Sequence, residues 1–555
     1  MFRIILMSLG LILSTSLVAQ DLSQLNKEKP FRWAGSLSLS SGMYAAQGID
    51  PRGSQFQWRI SGTPTLYIYG IQLPFNFTIG REVRSFNYPV FNQFGVSPNY
   101  KWIKIHAGYR NLTFSPYTLA GHTFLGGGIE LTPGKFRLSA MAGRLRDAIV
   151  VDSNSIAQQP TFRRMGYGVK VGVGSNESYI DLIFFGGKDD PNSLNSPADS
   201  AITASQNIVT GITTRYKISN AFSFDGDIAI SAFTRNLNST IIETDSLPHA
   251  EYIPSEVFQP TISTRANMAG KAGLMYSKNN FSLRLGFEHI DPEYESMGAY
   301  FFANDLENIT ISPSLILFKG KVRTSGSYGW QHNNLYANRS EQSSRQIGSF
   351  NLSVNPNPFF GVDAAFSNFR SSQVPVNLEL TDSIRLAMVS SYATLTPRFT
   401  IMGERSVQSV FFNAYYQYLD DQNPFTQQYG DVRTTLLMVS HTIAFKSSQL
   451  SIQSGLNYQN TALAFGNSRR YGFNGNVGKP FLKNKLNLQA NFVYTFNTVN
   501  DVSDGTTLQL GANINYQMSK KHSFFIRLNL LNNQSETYKT FTEFRGNVGY
   551  TWRLK

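Results

Sequence analysis

The chain has 555 residues, no cysteine, and 49 Lys and Arg against 36 Asp and Glu, a formal net charge of +13. Charged residues make up 15% and aromatics 13%, whereas a soluble chain of this length would carry about 25% charged residues. Without cysteine there is no disulfide framework, and the basic residues are scattered, never more than two in succession, with no run or helical stripe to follow a phosphate backbone, which excludes nucleic acid as a partner.

Residues 1–19 of "MFRIILMSLGLILSTSLVAQ" read as a secretory signal peptide: Arg3, an apolar run from Ile4 to Leu13, a Ser/Thr patch, and the small residue Ala19 before Gln20. The run is shorter than the roughly 18 residues of a membrane helix, and no later run approaches that length. Residues 20–31 then form a short periplasmic segment. Residues 32–555 form one domain.

From Arg32 onward, segments of about 10 to 15 residues keep strict period 2. In "KLNLQANFVYTFN", Leu486, Leu488, Ala490, Phe492, Tyr494 and Phe496 alternate with Asn487, Gln489, Asn491, Thr495 and Asn497. Asn and Gln are poor strand formers, so they require a wet face. Tight punctuation at Gly70, Pro133-Gly134, Ser175-Asn176, Asn279-Asn280, Ser447-Ser448 and Lys520-Lys521 alternates with long polar connections such as Ala148 to Phe162, Leu237 to Ile262 and Ser371 to Asp382. This pattern predicts an all-β fold, a transmembrane antiparallel β-barrel of about 26 strands, in the range 24–26, with short periplasmic turns and longer extracellular loops. The number must be even if both ends lie on one side, and Tyr88 to Val96 supplies the strand that makes it so. Pro64 and Pro74 each remove a ladder donor, so a bulge or weakened pairing is expected there.

The chain closes on "FRGNVGYTWRLK". Asn547, Gly549, Trp552 and Leu554 give a polar residue, a glycine and two spaced large apolar residues just before the end. The stretch resembles the C-terminal β-signal of Gram-negative outer-membrane β-barrel proteins. That resemblance implies recognition by the barrel-assembly machinery and an integral place in outer-membrane lipid, with both termini periplasmic.

With apolar residues outward, the lumen-facing set includes Lys104, His106, Arg110, Lys170, Arg215, Lys217, Arg284, Arg323, Arg470, Arg527, Arg545 and Arg553. Arg215 falls opposite Asp225 around the Asn220 turn, where a cross-strand ion pair is expected. A barrel of this size has a backbone diameter on the order of 50 Å. So wide a lumen must be flattened, filled by loops, or filled by another chain. The longest loop carries Glu243, Asp245, Glu251 and Glu256 and no Lys or Arg, which makes it the candidate constriction against the basic wall.

No catalytic constellation emerges. His122 stands near Ser115 and Tyr117 in "SPYTLAGHTFLGGG", yet nothing fixes a base against a nucleophile, and the glycine run there serves close packing. The acidic clusters at Asp189-Asp190 and Asp420-Asp421 lack the ligand spacing of a calcium loop. The reading is a barrel that is not an enzyme and has no cofactor or metal. It is a loop-occluded channel or transport pore, or a barrel hosting a lumen-filling or rim-bound protein. A subunit of a secretion or assembly machinery is the alternative, with an outer-membrane hydrolase or a surface adhesin behind it.

Overall fold

The computed structural model describes residues 30–554 except 69–70, 82–92, 150–159, 195–201, 254–257, 300–303, 338–340, 376–385, 422–426 and 538. The leader, the Gly70 turn, the first part of Tyr88–Val96, and Glu256 therefore lie outside the described residues. Gln93–Val96 is strand.

One antiparallel sheet of 28 strand segments closes on itself. The first strand, Phe31–Gln47, pairs with the last, Phe541–Leu554, from Gly35↔Leu554 to Gln47↔Thr542. Its other edge pairs with Phe56–Gly62 and then Thr65–Ile68. These two segments are one pass interrupted midway, as are Gln93–Val96 and Asn99–Tyr100, so the barrel has 26 passes. Closure joins the first strand to the last, as strands that cross a bilayer require.

Both interruptions belong to the proline region. Thr63-Pro64 breaks its strand opposite Gly35, whose φ of +108° and lack of a Cβ let the Thr63 carbonyl approach. The Pro74 carbonyl accepts from Ser97 N at 3.0 Å, beside the second break at Ser97-Pro98. The turn after that pass falls at 101–102.

On one side of the barrel the described turns hold two to five residues, as at 132–135, 279–280 and 482–485. Asn279 (φ 52°) tolerates the left-handed backbone of its two-residue turn. Most connections on the opposite side are longer, including 112–122, 235–263 and 291–305. Two there are also tight, 464–465 and 500–501, so length alone does not mark that side in the last third of the chain. An even number of passes places the first and last strands' free ends on the short-turn side.

Side chains alternate across this wall. Leu182, Ile228, Phe366, Leu456 and Val548 are exposed on the outer face, which is the lipid-contacting arrangement of a membrane barrel. Most inward positions are polar or small, with a few large side chains such as Tyr392, Phe411 and Phe525 among them.

Candidate functional site

Two connections turn into the lumen. Leu112, Phe114, Tyr117 and Leu119 join Phe185, Val209, Ala229 and Ala269 from the inner wall, and Tyr294 and Met297 from residues 291–299, in one buried cluster. Leu119–Ala120 and Gly298–Ala299 form a short parallel pair. The Tyr294 hydroxyl donates to the Tyr117 carbonyl at 2.7 Å, and Ser296 Oγ donates to the Thr118 carbonyl at 2.7 Å. Together they make an intrinsic plug.

The wall is shaped to receive it. A Cβ on Gly168 would stand 2.8 Å from the Phe114 ring, and one on Gly187 would stand 3.0 Å from Met297. Glycine at these inward positions lets the plug lie against the sheet backbone, giving the dense packing of a protein interior. Polar ties fix its register. The Tyr117 hydroxyl donates to Glu288 Oε1 at 2.6 Å, and Met297 N donates to Asn207 Oδ1 at 3.0 Å. Burial and then Glu288 hold the Tyr117 phenol well above its ordinary pKa. Burial, with Arg164 and Arg146 nearby, pushes His122 down to about 4, so it is neutral in the plug.

The plug occupies one side only. Among the described residues, every fully buried apolar side chain lies between Leu112 and Leu306. Among the described residues, no such cluster covers the inner faces of the strands from Val322 to Leu554.

The inward basic residues divide the same way. Lys104 and His106 meet Glu130 at 2.9 and 2.8 Å, and His106 also contacts Ser97. Arg110 donates to the Val96 and Pro74 carbonyls. Lys170 donates to the Thr113 carbonyl at 3.4 Å and lies under the Phe114 ring, so it supports the plug. Arg215 is in register with Asp225, but the bidentate ion pair of Asp225 is made with Arg284. On the uncovered side, Arg323, Arg470 and Arg527 have no carboxylate partner among the described residues. Lys217 pairs with Glu177, and Arg545 with Glu543.

The acidic loop corrects the sequence expectation. Leu247, Ile253 and Phe258 pack on Ile208, Ala232 and Ala266, which share the outward parity of the exposed Ile212, Tyr216 and Ile228. Thr210 Oγ1 and Gln206 Nε2, also outward, donate to the Tyr252 and Gln259 carbonyls. This loop therefore straps the outer flank of the wall and does not face Arg284, Arg323, Arg470 or Arg527. Glu243, Asp245 and Glu251 are solvent-exposed. Apolar complementarity to the rim outweighed charge complementarity to the lumen, as expected where exposed charges are screened within about 8 Å.

The plug residues Tyr117, Tyr294 and Met297 were not among the sequence-based candidates. Their signal was present in part: a connection with apolar residues at 112, 114, 117 and 119 running into a glycine triplet. At the C-terminus, Trp552 pairs with Leu37 and His522 and is exposed outward, while the Asn547 amide lies inward over Gly42.

No family model matches the chain, and no curated protein sequence matches it. Solved outer-membrane barrels show a distant likeness. OccAB2 of Acinetobacter baumannii aligns at 11% identity over 68% of this chain and 98% of its own, with a TM-score of 0.32. The translocation pore of the P pilus usher PapC aligns at 10% over 94% and 99%, with a TM-score of 0.38. A variant of the ferric enterobactin receptor PfeA of Pseudomonas aeruginosa aligns at 10% over 94% and 80%, with a TM-score of 0.44. The barrel itself stands on the pairing of this chain's own first and last strands.

Proposed function

We propose that this chain is a non-enzymatic outer-membrane channel, narrowed by its own plug and open along the opposite wall. The observation that carries the reading is the one-sided lumen. Residues 112–122 and 291–299 pack on the inner wall between Phe124 and Leu306, while among the described residues no buried cluster covers the rest of that wall. A full plug would need a partner or a large movement to pass solute; a half plug leaves a path. Arg323, Arg470 and Arg527 along that path favour small anions over cations. In this reading the mature chain begins at Gln20, residues 20–31 and the C-terminus are periplasmic, and the last strand carries the assembly signal.

Planar-bilayer recording of the purified protein tests the proposal. Steady conductance with an anion-leaning reversal potential in a KCl gradient is expected, and replacing Arg323, Arg470 and Arg527 with Gln should move that potential toward cations. Absence of conductance, both in the intact protein and after deletion of residues 113–121, would overturn it in favour of a barrel filled by a partner protein.

A further inference from the structure

We propose that the uncovered wall is a binding path for neutral oligosaccharide, an inference that rests on the channel reading and names its solute. The inward face of the strands from Leu386–Met402 to Phe541–Leu554 combines two features. The first is a pair of stacked phenols: the Tyr392 and Tyr415 rings lie 6.3 Å apart at 24°, and the Tyr415 hydroxyl donates to Gln417 Oε1 at 2.9 Å. Tyr392 faces the lumen, opposite Ser367, and is 40% exposed.

The second is a level amide surface. Asn474 Oδ1 lies 2.7 Å from the place of a Cβ on Gly455, and Asn547 Oδ1 lies 2.8 Å from that of Gly42; Asn491 covers Gly511 in the same way. Each amide lies in the recess its neighbouring glycine leaves, along the wall and not across the lumen. A carboxamide offers two N–H donors and a carbonyl acceptor without charge. Sugar hydroxyls both donate and accept, and the C–H faces of pyranose rings suit an exposed phenol face.

Other solute classes fit less well. Arg470 and Arg527 stand three strands apart, about 14 Å at ordinary strand spacing, too far to hold one phosphate or carboxylate between them, and Arg545, diagonal to Arg527, is paired with Glu543. An extended peptide would seek an open strand edge, and the closed sheet presents none.

The test uses the detergent-purified, folded barrel and a dextran-derived glucose hexasaccharide. Titration calorimetry should show saturable binding, weakened about tenfold, the equivalent of one lost hydrogen-bonded contact, in Tyr392→Ala and in Asn491→Leu. Heat-dependent gel mobility verifies that both variants remain folded, and Tyr415→Phe, which keeps the ring, provides a milder second variant. Polyethylene glycol of equal size should give no saturable heat. Equal responses to the two polymers, or tighter binding of tripolyphosphate than of the hexasaccharide, would overturn the assignment. Because calorimetry does not require conduction, saturable hexasaccharide binding beside a silent bilayer would remove the channel reading and leave the oligosaccharide wall standing.

Discussion

Arg284 reaches across an intervening strand to Asp225, with Nη1 and Nη2 each 2.8 Å from one carboxylate oxygen. Gly273, between them in the sheet, makes this possible, since a Cβ there would collide with the Arg284 guanidinium and stand 3.0 Å from Asp225 Oδ1. Gly273→Ala should therefore break the pair while leaving both strands in place. The groups are partly solvated, so the loss should be about 1 kcal/mol. A slightly lower unfolding temperature by heat-modifiable gel mobility is expected, and an unchanged one would show that the pair contributes nothing.

Unseating the plug should not unfold the barrel. Gly168→Val places a side chain where Phe114 sits. The cluster loses packing worth about 3 kcal/mol, within the range of a large core deletion. Larger or noisier single-channel currents with normal heat-modifiability are expected.

Tyr117→Phe tests the plug's polar tie. It removes only the hydroxyl that donates to Glu288. Losing a hydrogen bond to a charged group costs about 1.5 to 3 kcal/mol. More frequent current fluctuations than in the unaltered protein should result, and Glu288→Leu, which removes the acceptor, should produce the same phenotype.

Acid should loosen the plug through His122. Burial holds its pKa at about 4, against about 6.5 for an exposed imidazole. A released plug thus binds a proton that the seated plug does not, over the interval between those values. Stability of the seated state is full above about pH 6.5 and falls by about 1.4 kcal/mol per unit toward pH 4. Open probability should rise from pH 7 to pH 5. His122→Gln should flatten that dependence.

Trp552 faces outward at the end of the last strand. Trp552→Asp would put a charge on the lipid face at up to about 2 kcal/mol, less near the interface. Reduced folded protein in the outer membrane is expected, with the same chain still made in full; equal amounts would argue against an assembly role for this strand.

Period 2 by itself determined the barrel. The alternation of Leu486 to Phe496 with Asn487 to Asn497 requires one apolar and one wet face, and an even ladder of such segments has only closure as its solution in a bilayer. It also placed Lys104, His106, Arg110 and Lys170 on the inner face, because strand parity is local. The outward Trp552 was legible for the same reason, and the break at Pro64 opposite Gly35 because proline lacks a ladder donor; the second break fell at Pro98, while the strand Ile71–Arg81 runs unbroken through Pro74.

The destination of each loop was not local. Tyr117 and its partner Glu288 are separated by 171 residues, and no spacing within "LTFSPYTLAGH" names the glycines at 168 and 187 that receive it. The acidic segment from Glu243 had the charge to face the lumen, yet Leu247, Ile253 and Phe258 found an apolar outer rim across three strands. Charge sign can be counted along a chain. Which surface a connection covers is decided only when closure brings distant strands into a common wall, because the contacts that outweigh screened charge are short-ranged and exist only there.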